Sequence, residues 1–236
     1  MTRSRWPISL LMMAAVFAGG FLFRGALAQQ SSSKAPGAAG LPSDVFTDSF
    51  TRVPLPSKAD LKTDEDKQAF DKVAGPEGLK PGPIGANTLR LYFPVVADRY
   101  RDAVRYLREK SGIEPRLAEL AILVATRESN GQYEWNAHEA SAIKAGIPQQ
   151  TVDLLKNKRE NKGLSDKEEV IVRFGREMLH QPKVSSKTFA DAERILGRKN
   201  TLVVAIIIAH YSSSSVLLHA YDAHWPPDQK PPFLVP

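Results

Sequence analysis

The chain of 236 residues contains no cysteine. Its fold therefore has no disulfide bonds and must be held by packing and non-covalent polar contacts. The same absence excludes a thiolate nucleophile, a dithiol redox pair and any metal site that needs a cysteine ligand. Chemistry in this protein has to rest on carboxylates, imidazoles, hydroxyls and cations.

The sequence also lacks a cluster of basic residues interleaved with aromatic residues, which argues against a nucleic-acid partner. The net charge is +6, but Arg3, Arg5 and Arg24 all lie within the first 28 residues. Without that segment, 29 basic residues stand against 26 acidic ones, a net charge of +3. The basic character is therefore partly a property of the amino terminus.

Residues 1–28 have the pattern of an export signal. Arginines precede an apolar run over 8–23, and Ala26-Leu27-Ala28 is typical of a cleavage site. Arg24 interrupts the run, which is short for a membrane span. We expect cleavage and a periplasmic or secreted protein with no further membrane contact. An uncleaved amino-terminal anchor is the alternative.

The rest of the chain divides into three segments. Residues 29–87 are rich in proline and small residues, which predicts a flexible tether and then an extended arm that wraps the core or a neighbouring subunit. One short helix is expected there, from Asp64 through Val73. Residues 88–222 show helical periodicity with few strand signals, and 223–236 form a proline-rich surface tail. The predicted fold class is all-α.

Capping and breaking residues predict seven helices in the segment 88–222. Their expected starts are Pro94, Pro115, Gln132, Pro148, Ser165, Ser185 and Asn200. The first should bury a stripe that includes Ala103 and Val104, and the second should be deeply buried. The last contains a nine-residue apolar run from Thr201 that is too short to cross a membrane. We expect this helix to serve both as a core helix and as an oligomer interface.

Glu134 and His138 are four residues apart, so their side chains lie on one face of a helix. A carboxylate beside an imidazole raises its proton affinity and orients it, which suits a general acid or base. An exposed pair of little energetic value is the alternative, although the flanking Tyr133 and Trp135 disfavour full exposure. Spacing alone leaves both interpretations open.

The run from Arg116-Leu-Ala-Glu119 through 132–138 to Ala145-Gly146-Ile147 resembles the carboxymuconolactone decarboxylase family of the alkylhydroperoxidase D-like superfamily. Glu119 and His138 match the family's glutamate and histidine positions. Gly131 and Glu134 fall where the peroxidase branch has its two cysteines.

The resemblance covers about residues 88–222. It implies the alkylhydroperoxidase D-like helical fold, self-association into trimers or hexamers, and active sites near subunit contacts. It also implies that Glu119 and His138 belong to the pocket. Hydroperoxide reduction, the activity of the peroxidase branch, needs a thiolate and a disulfide partner, so the missing cysteines disfavour it.

The decarboxylase branch needs no cofactor. Its lactone substrate loses carbon dioxide and leaves a dienolate, which His138 would protonate while Glu119 or Glu134 sets the charge of the imidazole. We therefore predict an exported, cofactor-independent carbon–carbon lyase acting on a small carboxylated lactone or related acid. A non-catalytic oligomeric protein that binds small acids on the same scaffold is the alternative.

The residues predicted to bind the substrate are Arg116, Arg127, Tyr133, Trp135 and His210. Arginine binds carboxylates as a fork, but a surface ion pair is an equal alternative for each arginine. His210 stands where family members commonly have a small residue. A zinc site built from His138, Glu134 and His219 lacks a tight ligand motif, so no metal is expected.

Overall fold

The computed structural model describes residues 40–227 together with 229, 231 and 233. Within these residues there are nine α-helices and no β-strand, apart from an isolated bridge between Phe46 and Thr51. The all-α class is thus confirmed. The predicted export signal at 1–28 and most of the predicted tether lie outside the described residues.

The helices follow one another with short connections. In chain order they are α1 (Asp64–Ala74), α2 (Ala86–Leu89), α3 (Pro94–Glu109), α4 (Pro115–Glu128), α5 (Gln132–Lys144), α6 (Gln149–Lys156), α7 (Asp166–His180), α8 (Ser186–Leu196) and α9 (Arg198–Ala220). The seven helices predicted for the main segment correspond to α3 through α9. The predicted short helix of the arm corresponds to α1.

Local capping chemistry explains where these helices begin. Proline occupies the first turn of α3 and of α4, where its missing N–H costs no hydrogen bond. At the start of α7, Ser165 and Glu168 form a capping box in which the Ser165 N–H donates to Glu168 Oε2 at 2.9 Å. The last helix begins at Arg198, two residues before the predicted Asn200.

The core is built around α4, in which every residue from Leu117 to Glu128 is buried. It packs against α5, α7 and α9. The deep burial predicted for this helix is confirmed. The stripe predicted for α3 is only partly right, because Val104 is buried while Ala103 is exposed. Burial of α4 on all sides means that the carboxylate of Glu119 lies in the core and needs partners there.

α9 has a buried side and an exposed side. Val204, Ile207 and Ile208 are buried, which confirms the core role, whereas Leu202 and Val216 are each 62% exposed. The helix has the length and mean hydropathy of a membrane span, and 56% of an apolar 18-residue stretch within it is buried inside the protein. A core helix of a water-soluble domain has the same properties.

The arm and the tail pack against the chain's own helices. α1 lies on α3, and the His224 N–H donates to the Phe50 carbonyl at 2.8 Å just after α9. The sequence predicts a tail on the surface, but Phe233 is buried against Trp135, with ring centroids 5.4 Å apart. The arm thus contacts helices of its own chain, and the tail contributes an aromatic ring to the core.

Gly175 marks a close approach between α7 and α4. A Cβ at this position would clash with Val124 Cγ1 and lie 3.2 Å from Ile208 Cδ1.

Replacing glycine by alanine ordinarily stabilises a helix interior by about 0.5–1 kcal/mol. Because of the clash, we expect Gly175→Ala to lower the free energy of unfolding by about 1–3 kcal/mol, measured by urea denaturation. Adding Val124→Ala should recover part of that loss, because it removes the methyl group that the new Cβ meets. If the changes in unfolding free energy of the two single variants simply add in the double variant, the predicted clash is contradicted.

Candidate functional site

A cavity of about 350 Å³ lies among α3, α5 and α9. Its lining residues are Asn87, Arg90, Arg101, Val104, Arg105, Arg108, Glu109, Glu134, His138, His210, Tyr211 and Ser214. Three of the residues predicted for the site are therefore among its walls: Glu134, His138 and His210. Glu119 lies directly behind the wall, hydrogen-bonded to His138.

Glu119 and His138 form a hydrogen-bonded pair between α4 and α5. The distance from His138 Nδ1 to Glu119 Oε2 is 3.0 Å. An ionised carboxylate only accepts hydrogen bonds, so Nδ1 carries the hydrogen and Nε2 is the ring nitrogen left for the cavity. The arrangement orients an imidazole whose Nε2 can take up a proton and then donate it.

Arg108 holds the other oxygen of Glu119. Its Nη2 donates to Glu119 Oε1 at 2.5 Å, and its Nη1 donates to Tyr211 Oη at 3.3 Å. Burial raises the pKa of Glu119, but the hydrogen bond from His138 and the charge of Arg108 outweigh it, so the pKa lies below its usual value. Glu119 is therefore ionised at neutral pH.

Glu134 is in the opposite situation. Burial raises the pKa of its carboxyl group above the usual value, against the lowering effects of the His138 charge, the Ala86 N–H and the Arg90 charge. The two carboxyl groups of the site therefore differ in pKa, with that of Glu134 raised and that of Glu119 lowered. Such a separation is typical of sites in which one carboxyl group holds a charge and another handles a proton.

Four arginines give the cavity a cationic wall: Arg90, Arg101, Arg105 and Arg108. Arg101 and Arg105 also form ion pairs with aspartates on α3 itself. In the part of the chain that the structure describes, Arg90 has no ion pair. Its guanidinium donates to Ser214 Oγ at 3.2 Å and lies 4.8 Å over the Tyr100 ring. This cation is the one best placed to receive an anionic ligand.

His210 is an uncharged imidazole at neutral pH. Burial, together with the charges of Arg90 and Arg108, lowers its pKa to about 4. Its ring lies between the rings of Tyr100 and Tyr211, at centroid distances of 5.8 and 5.1 Å. His210 can therefore offer a hydrogen bond to a ligand but contributes no positive charge.

The two arginines predicted to bind the substrate lie away from this cavity. Arg116 Nη1 donates to Glu168 Oε1 at 3.0 Å, at the start of α7. Arg127 Nε donates to the Lys156 carbonyl at 2.8 Å, and its guanidinium lies 5.4 Å from the Phe233 ring centroid. Both contacts link helices within the fold.

Tyr133 and Trp135 also lie outside the cavity. Trp135 is fully buried, and its Nε1 donates to Glu139 at 3.0 Å. Tyr133 packs near Trp225 and lines a separate cavity of about 440 Å³ close to the end of the described chain. Although that second cavity is larger, it contains neither His138 nor an arginine, so the smaller cavity is the candidate site.

The three residues considered for a zinc site, His138, Glu134 and His219, do not lie around one cavity. His219 lines the second cavity and its Nε2 lies 3.1 Å from the Asn130 carbonyl oxygen, apart from His138. Within the described residues, no cluster of three or more histidine or acidic side chains is suited to hold a metal ion.

Sequence reasoning missed Arg90, Arg108 and Tyr211. A signal for the arginines is present, since Arg101, Arg105 and Arg108 recur at the spacing of one helix face. That spacing does not show which face of α3 meets the cavity. Tyr211 carried no comparable signal, because a tyrosine in an apolar helix ordinarily indicates core packing.

Glu119 generates a prediction about stability and pH. Because its pKa is lowered in the folded state, its ionised form stabilises the protein above the ordinary pKa of 4.5, and this contribution is lost as the pH falls through the folded pKa. We expect Glu119→Gln to cost roughly 2 kcal/mol at pH 7, from hydrogen bonds to charged groups. The difference from the wild type should shrink in urea titrations below about pH 4.

The exposed Glu160, whose carboxylate pairs with Lys162 at the surface, provides the control. Glu160→Gln should have little effect at any pH. A Glu119→Gln cost that stays constant down to about pH 3 would contradict the proposed charge state.

Comparison of the sequence with models of known protein families finds no matching family, and comparison with curated proteins finds no matching sequence.

Proposed function

We propose that the protein is an exported, cofactor-independent carbon–carbon lyase of the carboxymuconolactone decarboxylase type, built on the alkylhydroperoxidase D-like helical fold. Its substrate is a small carboxylated lactone or a related acid. The observation that carries this proposal is the Glu119–His138 pair, which directs an imidazole toward a cavity walled by arginines. Such a site binds an anion and delivers a proton to it.

In the proposed reaction, Arg90 binds the substrate and His138 protonates it. Arg90 receives a carboxylate of the substrate, since its charge has no ion pair among the described residues. The electron pair of the bond to the departing carboxylate then remains on the substrate and delocalises to the lactone carbonyl, giving a dienolate as carbon dioxide leaves. His138 protonates a carbon of the dienolate, while Glu119 stabilises the charged imidazole.

Glu134 supports the proton transfer from the same helix. It lies one turn before His138 on α5, and burial raises its pKa. A carboxyl group with raised proton affinity can pass a proton from solvent to the imidazole after each turnover. This chemistry requires no cofactor.

A turnover assay with carboxymuconolactone tests the proposal. We expect decarboxylation by the wild type and a loss of about 10²–10⁴-fold in His138→Ala, the usual contribution of general acid catalysis. His219→Ala is the matched control, because that imidazole lines the other cavity. Equal turnover by His138→Ala and the wild type would overturn the assignment.

The alternative function is binding without catalysis, on the same scaffold. It is favoured by the arginine wall, which can hold small carboxylic acids whether or not a reaction follows. Thermal-shift measurements with the lactone separate the two functions: stabilisation without turnover supports the binding protein. Hydroperoxide reduction stays disfavoured, because the chain has no cysteine for the required thiolate and disulfide.

Self-association belongs to the same proposal, with a second copy of the chain as partner and a trimer or hexamer as the expected state. Exposed residues of α9 recur with alternating spacings of four and three: Leu202, Ile206, Ala209, Ser213, Val216 and Ala220. This is the pattern of a helix that packs along a partner helix, and it contains no charge. We call these six residues the α9 seam.

A charged seam should prevent assembly. We expect the double variant Leu202→Glu with Val216→Glu to sediment as a monomer, while the wild type sediments as an oligomer, because the seam would place carboxylates in an apolar contact. Phe189→Glu is the control, since Phe189 is an exposed apolar residue of α8 outside the seam. Unchanged sedimentation of the double variant would contradict the seam as the interface.

A further inference from the structure

We propose that Tyr211 is a further catalytic residue, whose hydroxyl donates a hydrogen bond to the substrate oxygen that becomes negative during the reaction. The inference rests on the proposed function and adds to it the group that stabilises the dienolate. Neither the resemblance nor the sequence pattern assigns Tyr211 a role.

The hydrogen-bonding capacity of Tyr211 is only half used. Its side chain lies on α9 in the cavity wall, and the residue is 6% exposed. A phenol oxygen has lone pairs that accept hydrogen bonds and one hydrogen that donates. Tyr211 Oη accepts a hydrogen bond from Arg108 Nη1 at 3.3 Å, and no residue of the described chain accepts the hydroxyl hydrogen. Buried hydroxyls normally find an acceptor, and here the cavity is where one can be supplied.

Tyr211 lies next to the proposed proton donor. The rings of Tyr211 and His138 meet edge to face, with centroids 5.0 Å apart and an interplanar angle of 84°. A conjugated enolate is negative at its oxygen and basic at carbon atoms nearby. Two side chains in contact can therefore serve one substrate, with Tyr211 at the oxygen and His138 at the carbon.

The ionisation of Tyr211 suits a donor rather than a base. Burial raises the pKa of its hydroxyl to about 12, while the charge of Arg108 acts in the opposite direction. The proton consequently stays on Tyr211 throughout the neutral range. The hydrogen bond from Arg108 polarises the O–H group and strengthens its donation to an anion.

The proposed step consumes one proton, which His138 supplies and solvent replaces after the turnover. The bond between the substrate and its departing carboxylate breaks, carbon dioxide leaves as a neutral molecule, and the electron pair moves through the conjugated system to the carbonyl oxygen. Tyr211 donates a hydrogen bond to that oxygen and keeps its own proton. The proton from His138 goes to carbon, which restores the carbonyl group and releases Tyr211 from the anion.

Tyr211→Phe tests the hydroxyl while keeping the ring and its packing. We expect kcat with carboxymuconolactone to fall about 10²–10³-fold with little change in KM, as for loss of one donor to an oxyanion. The control is Tyr106→Phe, which removes an exposed hydroxyl from α3 and should leave kcat unchanged. A Tyr211→Phe variant with the kcat of the wild type would overturn the inference.

A second measurement does not depend on turnover. Titration of 4-nitrophenol in the presence of each protein, followed by its absorbance, reports whether the cavity stabilises the phenolate. We expect the wild type and Tyr106→Phe to lower the apparent pKa of the bound phenol, and Tyr211→Phe to lose most of that shift. An equal shift in Tyr211→Phe would assign the effect to the arginines and overturn the inference.

The two measurements separate failure of this inference from failure of the proposed function. If the wild type does not decarboxylate the lactone, the proposed function fails, and the 4-nitrophenol titration still decides whether Tyr211 donates to an oxyanion. If the wild type is active and Tyr211→Phe matches it in both measurements, the proposed function stands without Tyr211.

Discussion

The carboxylate of Glu119 is the group on which the site and much of the core depend. It lies on a helix that is buried on all sides, where an unpaired charge would cost far more than the fold can offset. Its partners come from two other helices, Arg108 on α3 and His138 on α5, and Arg108 extends the contact to Tyr211 on α9. One buried charge therefore joins four helices. The groups proposed for catalysis are aligned by the same contacts that make the core stable.

The ionisable groups in and behind the cavity wall differ in charge although they lie close together. Glu119 keeps its charge because two donors hold it, whereas Glu134, with weaker compensation, is driven by burial toward the protonated form. His210 is neutral because burial and the neighbouring guanidinium charges disfavour a cation. The result is a wall of arginines with the anion Glu119 behind it and with Glu134 and His138 facing the cavity. This arrangement suits the proposed anionic substrate that gains a proton.

Local signals in the sequence predicted the helices well, because caps and prolines act within a few residues of where they stand. Pro94, Pro115 and the Ser165 capping box begin helices as expected. The site was harder to predict, because the residues that meet in it are distant in sequence. Arg108 and Tyr211, for example, are 103 positions apart. Arg116 and Arg127 were predicted from the ability of arginine to bind carboxylates, but each guanidinium bonds to a group on another helix, Glu168 on α7 and the Lys156 carbonyl on α6.

In the alignment that the family resemblance implies, Gly131 and Glu134 take the two positions at which the peroxidase branch has cysteines. A side chain at Gly131 would collide with Ser215, whose hydroxyl is held by a hydrogen bond to the Tyr211 carbonyl at 3.0 Å. The space for a thiol there is thus filled by α9, and a cysteine would require the helices to separate. Glu134 occupies the other position with a carboxyl group of raised pKa. Both differences are consistent with the proposed function, because packing leaves no room for a redox pair and burial raises the pKa of a carboxyl group one turn from His138.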